Sequence, residues 1–85
     1  MNDIPFADQA PDAPELTDYD RGRMQTYLRL LDAAEDGADW SDVVQVVFGV
    51  DPLVEPGRAR AMHDSHLERA RWISARGYQG LVWDR

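Results

Sequence analysis

His63 and His66 stand three residues apart with Asp64 between them, a spacing that puts two imidazoles on one helix turn and could begin a metal site. A closed zinc site takes four ligands, three from the protein in a catalytic one. The sequence holds no other histidine and no cysteine, so no metal is expected and His66 is read as a packed residue. The carboxylates are scattered rather than paired in apolar surroundings, which gives general acid-base chemistry no footing. There is no glycine-rich phosphate loop and no nucleophile elbow. No catalytic residue, no cofactor and no enzymatic activity are expected.

What remains is the chemistry of charge. All nine bases are arginines, set against sixteen acids, for a net charge of −7. The distribution is polarised. Residues 1–18 carry Asp3, Asp8, Asp12, Glu15 and Asp18 with no base, and Asp36, Asp39, Asp42, Asp51 and Glu55 follow one another with no base among them. From Arg58 to Arg76 the sign reverses, with Arg58, Arg60, Arg69, Arg71 and Arg76 against Asp64 and Glu68. An acidic surface opposes approach to DNA or to an anionic membrane.

Helices must position these charges. Met24, Tyr27, Leu28, Leu31 and Ala34 recur at helical spacing, so a first helix is predicted from Thr17 or Asp18 to a stop at Gly37. Asp39-Trp40-Ser41-Asp42 reads as a second start, with Asp39 as cap, Asp42 in a box-like position and Trp40 as a core residue near the cap. The run Val43, Val44, Val46, Val47, Phe48 has strand composition but no partner strand elsewhere, so it is read as a short buried helix ending at Gly49. Pro52 and Pro56 force a turn of several residues, and Pro56 suits the first position of a third helix that runs to Arg76 and stops at Gly77. On that helix Ala59, Met62, His66, Ala70 and Ile73 share one arc, edged by Arg58, Arg69 and Arg76. Trp72 lies on the other side, either covered by the apolar C-terminal segment (Tyr78, Leu81, Val82, Trp83) or exposed as a partner anchor.

Residues 1–16, with Pro5, Pro11, Pro14 and no periodicity, are expected to form a disordered acidic tail before a domain spanning 17–85. No apolar run reaches the roughly 18 residues of a membrane span and no basic leader opens the chain, so a cytoplasmic protein is expected. The predicted class is therefore all-α: a three-helix helix-turn-helix variant with an extended turn, plus that tail. In a DNA reader the start of the last helix faces the groove, here Arg58 and Arg60. Five acids, Asp36, Asp39, Asp42, Asp51 and Glu55, crowd that approach and are expected to exclude DNA.

The stretches Tyr27-Leu28-Arg29-Leu30-Leu31-Asp32-Ala33-Ala34, Asp36-Gly37-Ala38-Asp39-Trp40, Val46-Val47-Phe48-Gly49-Val50-Asp51-Pro52, Asp64-Ser65-His66-Leu67 and Arg69-Ala70-Arg71-Trp72 resemble a proteobacterial domain of unknown function, numbered twenty-two eighty-five. Its members include antiactivators of rhizobial integrative and conjugative elements. The resemblance implies a helix-turn-helix variant with an extended turn. It also implies a decoy function: with only a tail before the first helix, the chain would lack the first module of an activator of the FseA type and would block that activator by occupying its partner module. A LuxR-type quorum-sensing regulator of the TraR kind is a further implied target. On this reading the chain is monomeric when free and binds neither nucleic acid nor membrane, and the partner face is Arg69, Trp72, Arg76, Leu81 and Trp83. Two rivals stand beside it: a DNA-binding regulator whose arginines at the start of the third helix suffice, and a structural accessory subunit.

Overall fold

In the computed structural model, which describes residues 6–76, the chain forms helices α1 (Asp18–Gly22), α2 (Met24–Glu35), α3 (Trp40–Phe48) and α4 (Pro56–Ala75), with no strand among the described residues. The expected all-α class and the order of short helix, turn and long helix are both present. The first predicted helix is divided into α1 and α2. Gly22 is a poor helix former, and at Arg23 the backbone leaves the helical region (φ −119°, ψ 16°). Thr17 caps α1 as expected: its hydroxyl accepts from the Asp20 amide while the Asp20 carboxylate accepts from the Thr17 amide. At the break, the Arg23 guanidinium lies 4.4 Å from the Phe6 ring centroid and 5.5 Å from that of Tyr19. Among the described residues its buried Nη2 has no hydrogen-bond partner, and the guanidinium is set against these two aromatic faces.

The stops fall where glycine permits a left-handed backbone. Gly37 (φ 75°) ends the turn after α2, with Gly37 N–H donating to the Ala34 carbonyl and Ala38 N–H to that of Ala33. Gly49 (φ 72°) ends α3. Asp39 occupies the cap position of α3, but its side chain makes no cap bond and accepts the Ser41 hydroxyl instead. The expected cap box there is absent.

α4 crosses both α2 and α3. Tyr27, Leu30, Val43, Ala70 and Ile73 form one buried cluster, and Val44, Val50, Ala59 and Met62 a second. The predicted arc of α4 is the buried one: Ala59, Met62, His66, Ala70 and Ile73 are all within 1% of complete burial. The valine-rich run is helical because Val43 and Val44 are buried while Val46 is 80% exposed, a pattern that strict alternation does not produce.

Residues 1–5 lie outside the described residues, as do Gly77, Leu81 and Trp83. The rest of the expected tail, residues 6–16, has no regular structure, yet it is bonded along α4. Arg69 Nη1 donates to the Ala13 carbonyl at 2.8 Å, Arg69 Nη2 to the Glu15 carbonyl at 3.0 Å, Ala10 N–H to Ser65 Oγ at 3.0 Å, and Arg58 Nε to Asp8 Oδ1 at 2.8 Å. Phe6 then stacks edge-on to Phe48, 4.8 Å between centroids. Two main-chain carbonyls and an amide make most of these bonds, so side-chain composition gave no sign of them.

Candidate nucleic-acid interface

The turn between α3 and α4 is built by Asp51. Its carboxylate accepts the Leu53 amide at 2.9 Å, and its carbonyl accepts the amides of Val54 at 3.1 Å and Glu55 at 3.0 Å. Pro52 is buried beneath, whereas Leu53 and Val54 are 90% and 72% exposed. Pro56 then opens α4, as expected from a residue with fixed φ and no amide to satisfy. Gly57 follows with open space where a side chain would stand, leaving the first turn of α4 accessible to a close-fitting partner.

Arg58 and Arg60 project from this start, both exposed. Arg58 Nε bonds Asp8, and its Nη1 bonds Glu55 at 3.1 Å; these two carboxylates, Asp8 first, raise its already high pKa. Arg60 Nε bonds Asp64 at 2.9 Å while its guanidinium sits 4.8 Å from the Trp40 ring centroid. Burial would raise the Asp64 carboxyl, but the bonds from His63 and Arg60 outweigh it and lower the pKa. The two guanidiniums are thus held in place by α3, by the turn and by the N-terminal segment.

The five acids expected to exclude DNA hold local positions. Asp51 builds the turn, Glu55 pairs with Arg58, Asp39 accepts from Ser41, Asp42 lies in the first turn of α3 where the helix dipole favours a negative charge, and Asp36 is the C-cap of α2. They are chain-geometry residues before they are a field against phosphate.

The predicted partner face is only partly a face. Arg69 is 5% exposed and belongs to the interior, where its Nε and Nη2 bond both oxygens of the fully buried Asp20. Trp72 is half-buried with the Arg69 and Arg76 guanidiniums 4.2 and 4.8 Å from its ring centroid. It helps line a cavity of about 430 Å³ between α4 and residues 9–12. Arg76, the C-cap of α4, is exposed. Leu81 and Trp83 lie outside the described residues.

Nor do the histidines converge. His66 Nδ1–H donates to the Met62 carbonyl at 2.8 Å, so Nε2 accepts from the Tyr19 hydroxyl at 2.6 Å. His63 Nδ1 lies 2.8 Å from Asp64 instead. Burial, with a contribution from Arg23, lowers the His66 pKa against the opposing pull of the Met62 carbonyl. Among the described residues no three metal-ligating side chains come together.

A family model described as "T6SS, Transcription factor, DNA binding domain" matches residues 4–82. No curated protein matches the chain. The match overturns three expectations: the resemblance to the antiactivators of conjugative elements, the decoy function against an FseA-type activator or a LuxR-type regulator, and the exclusion of nucleic acid. The exclusion rested on net charge and on the acids Asp36, Asp39, Asp42, Asp51 and Glu55 near the helix start, but these acids are engaged in caps, the turn and the pair with Arg58, and docking depends on the few groups that contact the duplex. Matched over nearly its whole length, the chain belongs to the family of T6SS transcription-factor DNA-binding domains.

Proposed function

We propose that this chain is the DNA-binding part of a transcriptional regulator and that it reads duplex DNA with the first turns of α4. The observation that carries the proposal is the exposed start of that helix: Gly57 leaves room for close approach, and Arg58 and Arg60 stand beside it in the first turns of α4, directly after the turn bonded by Asp51. Arginine is the residue type that pairs bidentately with guanine O6 and N7 or with a phosphate. The family description supports the same reading.

With few cations at the interface and a net charge of −7, non-specific affinity is weak, and recognition depends on base contacts made once α4 is seated. No described helix is long and apolar enough to cross a membrane, and the role proposed is that of a cytoplasmic, non-catalytic DNA reader. Repeated selection of bound duplexes from a random-sequence pool tests the proposal. Enrichment of a common short sequence is the expected result. A pool that stays random through every round, with the protein folded, contradicts it.

A further inference from the structure

Asp8 occupies the edge of Arg58 that a phosphate oxygen would take. The Nε–H of Arg58 points at Asp8 Oδ1, 2.8 Å away, and Glu55 occupies Nη1. Asp8 is not there by chance encounter. Arg69, Ser65 and Arg58 are spaced four and seven residues apart along α4, so they form one stripe of the helix. Residues 15, 13, 10 and 8 meet that stripe in reverse order, with two carbonyl bonds at Arg69, an amide bond at Ser65 and the ion pair at Arg58. Anchored at its upper end, the segment keeps the Asp8 carboxylate at high effective concentration beside the helix start.

We propose that the N-terminal segment is an intramolecular competitor for DNA, with Asp8 as a phosphate surrogate on Arg58 that must be displaced before α4 engages the duplex. This rests on the DNA-binding reading above and adds its regulation. Any event that draws the segment away from α4, such as a partner binding residues 6–16 or a change in the chain that carries them, strengthens DNA binding by freeing one arginine.

The test is a fluorescence-anisotropy titration of a short labelled duplex of mixed sequence at low salt, using the full chain. The variants are wild type, Asp8→Asn, Asp12→Asn, Arg58→Ala and Asp8→Asn combined with Arg58→Ala. Asp8→Asn is expected to tighten binding about two- to fivefold, the range of an exposed ion pair, and to steepen the salt dependence. Asp12→Asn, the same charge change on the same segment, is expected to stay close to wild type. With Arg58 replaced, the effect of Asp8→Asn is expected to vanish. Measurable binding that Asp8→Asn leaves unchanged overturns the competitor while the DNA reading stands. Equal tightening by Asp12→Asn, or tightening that survives in Arg58→Ala, overturns it in favour of a general charge effect. No binding by any variant overturns both.

Discussion

Arg69 and Asp20, separated by 49 residues, form a buried two-bond pair, Nε to Oδ1 at 3.1 Å and Nη2 to Oδ2 at 2.7 Å. Burial would raise the Asp20 carboxyl; the bonds from Arg69, Thr17 and Tyr27 outweigh it and hold the pKa below the usual carboxylate value. Tyr27, buried beside this carboxylate and donating to it at 2.7 Å, is pushed well above the usual phenol range. The bond from Asp20 raises the Arg69 pKa against its own burial. With Ala13 and Glu15 also on Arg69, one guanidinium ties α1, α4 and the N-terminal segment together.

Removing one side of that pair leaves a buried charge without its counterpart. Arg69→Met is expected to destabilise the fold by about 3–5 kcal/mol, a large part of the roughly 4–13 kcal/mol available to a domain of this size. The double variant Asp20→Leu/Arg69→Met is expected to lose less than Arg69→Met alone, since no orphaned ion remains. Urea denaturation of the three proteins checks this. A folded Arg69→Met protein with wild-type stability would show that the pair is not structural.

The predicted burial arc of α4 was legible because a 3.6-residue period is written in side-chain type: Ala59, Met62, His66, Ala70 and Ile73 announce themselves. Arg69 sits at the edge of the same arc, and its partner Asp20 could not be inferred from local spacing, so it read as a surface cation. The break at Arg23 was hidden by the apolar stripe that begins at Met24. The acids of the turn were counted as charge because their hydrogen-bonding work, such as that of Asp51 toward Leu53, appears only once the backbone is folded.

The bonded state of residues 6–16 predicts that their removal is felt. A chain beginning at Thr17 loses the Phe6–Phe48 contact, the Ala10–Ser65 bond and both carbonyl acceptors of Arg69. The expected cost is about 2 kcal/mol, a fall of about 8–16 °C in Tm for a domain of this size. Calorimetry of the two chains decides. An unchanged midpoint would mean that the segment does not contribute to folding.

His66 predicts acid sensitivity near neutrality. Its folded pKa is depressed, so the native state resists a proton that the unfolded chain takes up near pH 6.5. Stability is therefore complete above about pH 6.5 and falls as the pH drops below it, by at most about 1.4 kcal/mol per unit until the folded pKa is reached. Protonation would also set Nε2–H against a Tyr19 hydroxyl that already accepts the Ala7 amide at 3.0 Å. Denaturation midpoints between pH 7.5 and 5, read beside an NMR titration of the His66 ring, check the sign. An imidazole that titrates at or above 6.5 in the folded protein would refute it.

The central claim is that the start of α4 is the DNA-reading element. The measurement that reaches it most directly is the affinity of a selected duplex for wild type, Arg60→Ala and Arg58→Ala/Arg60→Ala across a salt series, with Arg76→Ala as a control at the far end of the helix. Each arginine at the start that meets a phosphate is expected to reduce the slope of log affinity against log salt by about one unit when removed. Arg76→Ala is expected to leave that slope unchanged. Wild-type affinity and slope in Arg58→Ala/Arg60→Ala, or a loss confined to Arg76→Ala, would contradict the account and place the DNA on another surface.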